Sequence, residues 1–170
     1  MRRAVVIGLA AAAVAAVGVA NAAVSTLGKA GSWTASGGTT DAGKPICTMS
    51  SSGKGLWFGV KYFKGDTGLT VQISHDDWKL KDGLKVKTTM QFGKASPWSA
   101  AAESFHMSDG DAALELEIPN KQIEAWITEF ASNSAMLLRF PDEKSIDDWR
   151  LALSGANQIV NKFGDCIKKM

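Results

Sequence analysis

Two cysteines, two histidines and a scatter of carboxylates are the side chains in this 170-residue sequence whose types and spacing could support chemistry. Cys47 and Cys166 stand near opposite ends of the chain that follows residue 22. In an oxidising compartment two cysteines admit one intramolecular bridge, and closing so long a loop contributes about 4 to 5 kcal/mol on the chain-entropy account. There is no CxxC spacing, so a structural disulfide fits better than a thioredoxin-like redox centre. A bridge would also remove the thiolate needed for a Cys47 nucleophile paired with His75 or His106. The best metal-like cluster is His75-Asp76-Asp77, extended by His106, Asp109 and Asp111. It has neither the donor spacing of a zinc site nor the loop of an EF-hand, so these side chains read as solvated turn residues. Neither a cofactor nor a metal is expected.

Glu103, Glu115 and Glu117 offer carboxylates for glycoside chemistry. Glu115 and Glu117, however, alternate with Leu114, Leu116 and Ile118 and read as an outward polar row. Ser154 lacks the GxSxG elbow and is expected to cap a helix, and Ser52-Gly53-Lys54-Gly55 lacks the Walker spacing. With no catalytic set evident, a surface is the better place to look for function. Lys79, Lys81, Lys85 and Lys87 could align across a hairpin near Trp57, Tyr62 and Trp78, a basic and aromatic stripe suited to an anionic glycan or lipid headgroup. Trp57 and Trp98 are the candidate aromatic anchors, with Lys85 and Lys87 as candidate partner-binding cations. Trp33 and Trp126 read as core, and Trp78 and Trp149 as core or interface.

The chain opens Met1-Arg2-Arg3, runs uncharged from Ala4, and reaches Ala20-Asn21-Ala22, the small-x-small pattern of a signal-peptidase site. Residues 1–22 are therefore expected to be a secretory signal. The alternative is a retained tether, because the uncharged stretch to Gly28 is long enough to span a bilayer. After cleavage no stable membrane span is expected. The sequence has 19 Lys and Arg against 17 Asp and Glu, and setting aside Arg2 and Arg3 leaves 17 of each. A neutral exported chain gives no case for nucleic acid, and the expected partner is a protein or an envelope glycan or lipid.

These residues need elements to hold them. Residues 23–43, rich in Gly, Ser, Thr and Ala, read as a flexible lead-in with one short strand at Trp33 to Ser36. Residues 44–170 read as a single strand-rich domain. Period-2 alternation marks Ile46 to Ser51, Leu56 to Phe63, Leu69 to Ser74 and Leu114 to Ile118. Asp82-Gly83 predicts a hairpin joining Trp78 to Lys81 with Leu84 to Phe92. Residues 93–102 read as a connection around Pro97-Trp98, followed by a strand at Glu103 to Met107. Asn120 is expected to cap a helix with Ile123, Trp126, Ile127 and Phe130 on one face. Strands at Ala135 to Phe140 and Asp147 to Leu153 then precede a final helix bearing Ile159, Val160, Phe163 and Ile167. Seven to nine strands with short links predict a mainly β fold with two helices. The expected architecture is an antiparallel β-sandwich or barrel-like sheet covered by a mid-chain and a C-terminal helix.

The export signal, the early Trp33 and Cys47, the strand-rich middle, and Trp149-Arg150-Leu151-Ala152-Leu153-Ser154-Gly155-Ala156 before the last helix together resemble the invasion-associated locus B group of small periplasmic proteins of alpha-proteobacteria. The chain departs from that group in lacking its mid-chain Gly-Cys pair and in placing Cys166 within the last helix. The resemblance implies a non-enzymatic protein of the Gram-negative periplasm or cell surface, linked to host interaction or envelope stress, and supplies no catalytic residue. Two other readings are weighed against it. One is a protein inhibitor or immunity-type protein that blocks an enzyme through an exposed loop near Pro97-Trp98. The other is a cofactor-free hydrolase using surface carboxylates.

Overall fold

A computed structural model describes residues 23–170, and the expected signal segment 1–22 lies outside them. The described chain forms ten strands and two helices, in the order β1 (Ala23–Ala30), β2 (Trp33–Thr39), β3 (Pro45–Gly53), β4 (Leu56–Phe63), β5 (Gly68–His75), β6 (Lys85–Phe92), β7 (Trp98–His106), β8 (Ala112–Pro119), α1 (Asn120–Ser132), β9 (Ala135–Arg139), β10 (Trp149–Ala152) and α2 (Ala156–Lys168). All strands join one antiparallel sheet in the order β1-β2-β3-β4-β5-β8-β7-β6-β9-β10. β1 and β10 are free edges, so the sheet is not closed into a barrel, and the architecture is that of a β-sandwich carrying two helices.

Strand alternation sends one set of side chains inward. Trp33, Met49, Phe58, Val71, Leu114, Met90 and Leu138 come from seven different strands and belong to a single buried cluster. α1 drops Trp126 and Phe130 into it. The two rings stack at 4.9 Å, and Phe130 meets Trp33 edge-on at 5.1 Å. The indole N–H of Trp33 donates to the carbonyl of Ala152 at 3.1 Å, tying β2 to β10 near the two ends of the sheet. α2 buries Ala156, Ile159 and Phe163 and packs on β1, β2, β3 and α1. Cys47 of β3 and Cys166 of α2 form a disulfide with Cα atoms 6.0 Å apart.

Several local expectations are corrected. Residues 23–30 are a full strand paired to β2, where a flexible lead-in was expected, and the strands number ten. Trp78 to Lys81 is not a strand. The Trp78 N–H donates to the His75 carbonyl, and Trp78 and Leu80 are buried as a loop whose Trp78 stacks on Trp149 at 5.1 Å. β6 therefore pairs with β7 and β9 instead of forming the Asp82-Gly83 hairpin. β7 starts at Trp98, five residues earlier than expected. Neither predicted cap operates. The Asn120 N–H donates to the Thr67 carbonyl at 2.8 Å, and α2 is entered through Gly155 at φ 88°, a left-handed conformation in which Ser154 makes no side-chain cap.

Candidate functional site

The outward face of the sheet carries a continuous polar row. Strand register sets Thr34, Ser50, Gly59, Gln72, Glu115, Glu103 and Lys85 side by side across β2, β3, β4, β5, β8, β7 and β6. Gly59 holds its place because the Trp57 indole lies over it, where a Cβ would collide with the six-membered ring. The Lys61 Nζ stands 5.6 Å from the Trp57 ring and donates to the Gln72 Oε1. In turn the Gln72 Nε2 donates to the Glu115 Oε2 at 2.5 Å. Burial lowers the Lys61 pKa below its ordinary 10.5, partly opposed by the Glu115 carboxylate.

Glu103 and Glu115 are direct cross-strand partners. That pairing places their Cβ atoms about 4.5 to 5.5 Å apart, whereas the hydrolase reading turns on the separation of the two carboxyl groups within a concave pocket. Both carboxylates are already engaged, Glu103 by Lys85 and Glu115 by Gln72, on the open face of a sheet. Glu103 is thus paired with a cation, while Glu115 accepts from a neutral amide and acts on Lys61 through its charge.

The four sequence-derived candidates do not meet. Trp57 is half-buried on β4, whereas Lys85 and the exposed Lys87 lie four strands away on β6, roughly 19 Å across the sheet at ordinary strand spacing. Trp98 packs partly buried against the core, and its indole N–H donates to the Glu129 Oε2 of α1 at 3.0 Å. The loop before it, from Gly93 to Pro97, is largely exposed, as the inhibitor reading asks, while Trp98 itself joins β7 to α1. Lys79 and Lys81 sit in the β5–β6 loop, so the lysine stripe is divided.

Two cavities flank the β3–β4 turn. This turn places Lys54 at φ 53° and Gly55 at φ 76°, the paired left-handed residues of a tight two-residue hairpin. The larger cavity, about 510 Å³, lies between this turn and β10 and carries Lys54, His75 and Arg150 with Ser32 and Ser51. Its one carboxylate, Asp148, pairs with Arg139 at 3.5 Å. The smaller, about 330 Å³, lies beside Trp57 and carries Ser74, Asp76, Asp109 and Asp111.

Of the six-residue metal-like cluster, the structure thus brings Asp76, Asp109 and Asp111 to one wall. His106 turns away to Asp82 at 2.6 Å, and the His75 Nδ1 accepts the Asp77 N–H at 3.1 Å. Among the described residues no three His, Cys, Asp or Glu side chains are placed to hold a metal ion. The gathering of the three aspartates follows from the β5–β8 pairing, Ser74 opposite Ala113, which joins loops 35 residues apart in sequence and has no local signature.

Among the described residues no helix is long and apolar enough to cross a membrane. No protein-family model matches the chain, and no curated protein matches it significantly. The fold is similar to that of the crystal structure of invasion associated protein B from Bartonella henselae, with a TM-score of 0.61 and 12% sequence identity over 85% of this chain and 97% of that one, a likeness that establishes a shared architecture.

Proposed function

We propose that this chain is exported and works in the periplasm or at the surface of a Gram-negative cell as a non-enzymatic binding protein. It acts through the outer sheet face and the β3–β4 turn. The observation that carries the reading is the disulfide between β3 and α2, since such bridges persist in oxidising compartments. The basic, apolar and Ala-x-Ala order of residues 1–22 agrees with it. The shared architecture with an invasion-associated protein favours a role in host interaction or envelope stress as its finer form.

The test is to produce the full chain in a Gram-negative host, fractionate the cells, and measure the mass of the protein before and after thiol alkylation. The expected product begins at Ala23, leaves the cytoplasm, and takes up alkylating reagent only after reduction. An uncleaved cytoplasmic product with two reactive thiols would overturn the reading.

A further inference from the structure

We infer that the acidic cavity beside Trp57 is a binding site for an organic ammonium group. This rests on the reading of the protein as a binder and gives that binder a ligand chemistry. Its wall carries three carboxylates, Asp76, Asp109 and Asp111, and no Lys, Arg or His. None of the three is in an ion pair with any described residue. Three like charges around one concavity focus a negative potential that a cation relieves.

The second observation is independent of charge. Ser74 is 4% exposed and lines the cavity, yet its hydroxyl makes no hydrogen bond to any described residue. The hydroxyl is not sealed off either, because the fully enclosed, unpartnered side-chain polar atom among the described residues is the Trp126 Nε1. Ser74 therefore leaves its side-chain hydroxyl to whatever fills the cavity it lines, as a nearly buried hydroxyl requires a partner.

Trp57 also lines the cavity, with Leu56 and Met107 as its other large apolar side chains, so an alkyl stem has apolar surface to meet. A metal ion is the wrong occupant, since the carboxylates do not converge to metal-ligand geometry. A cavity of about 330 Å³ suits a single cationic head with its first methylene groups. Such a head is presented either by a free alkylamine or by a lysine side chain of a polypeptide.

The test uses the full chain, purified after export and oxidised, with ¹⁵N-labelled indoles. It is titrated with n-butylammonium, with the peptide acetyl-Gly-Lys-Gly-amide, with uncharged 1-butanol and with calcium. The Trp57 indole resonance, identified by its loss in Trp57→Phe, is expected to shift saturably with both ammonium ligands and not with butanol. Each of Asp76→Asn, Asp109→Asn and Asp111→Asn is expected to weaken binding about two- to fivefold, as for a partly exposed charge contact. Ser74→Ala should weaken it as well, and the triple Asp→Asn variant should abolish it.

Tighter binding of the peptide supports a polypeptide source, and tighter binding of butylammonium supports a free amine. No saturable shift, an equal response to butanol, or tighter binding of calcium would overturn the assignment. Undiminished ammonium affinity in the triple variant would also overturn the site while leaving the protein a binder, so failure of the pocket is separable from failure of the broader reading.

Discussion

Replacing both cysteines, Cys47→Ala with Cys166→Ala, isolates the strongest single constraint in the fold. The two residues are 119 apart in sequence, and a loop of that length loses about 5 kcal/mol of denatured-state entropy on the chain-entropy account. Native packing adjusts the figure. Cys47 is fully buried, so removing its sulfur leaves a small void, while α2 keeps its contacts with β1, β2 and β3 through Ile159 and Phe163. The expected loss is therefore about 3 to 5 kcal/mol, or a fall of at least about 10 °C in Tm for a domain of this size.

Urea unfolding with and without the bridge measures the loss, and the m-value should rise because the freed denatured chain exposes more surface. Gly37 provides an internal check. A Cβ there would come within 2.5 Å of the Cys166 Sγ, so Gly37→Ala should be more damaging in the bridged protein than in the cysteine-free one. A loss below about 1 kcal/mol with an unchanged m-value would refute the reasoning, because the denatured chain would then be no less constrained without its bridge.

Other perturbations separate further features of the fold. Trp126→Phe removes a buried indole N–H that has no partner, so its cost in urea unfolding should stay within about 1 kcal/mol despite the lost volume. Trp33→Phe removes an N–H that ties β2 to Ala152 and should cost about 2 to 4 kcal/mol by the same assay. Gly155→Ala should lose about 1 to 3 kcal/mol in thermal unfolding, since φ is 88° and the new Cβ would strike the Ala30 carbonyl. Lys61 titrates below its ordinary 10.5 in the folded state, so the unfolded chain holds the proton more tightly and stability should rise with pH between the lowered value and 10.5. Urea midpoints measured across that range should lose this component of the slope in Lys61→Met.

The sequence was most legible where burial is one-sided. Leu69, Val71 and Ile73 alternate with Thr70, Gln72 and Ser74, and Leu114, Leu116 and Ile118 with their glutamates, because one face of each strand meets the core. Both helices announced themselves through 3.6-residue spacing of Trp126 with Phe130 and of Ile159 with Phe163. β1 escaped because an edge strand exposed along most of its length needs no apolar alternation, and Ala23 to Ala30 has none. The early part of β7 escaped because its buried position, Ala102, is too small to stand out. Trp78 and Leu80 misled in the opposite sense, since alternation in a buried loop imitates a strand. The aspartates of the acidic cavity were visible as residues. Their meeting depends on which strands lie next to each other, and that is fixed by the packing of the whole sheet.

The tie from Trp33 to Ala152 also sets a timetable for synthesis. β2 and β3 are made early, yet the acceptor for the Trp33 N–H and the cysteine that bridges to Cys47 both lie in the last twenty residues. Contacts of such long sequence separation form slowly and cannot form on a partial chain. These two ties can therefore close only after nearly all of the described chain has been made.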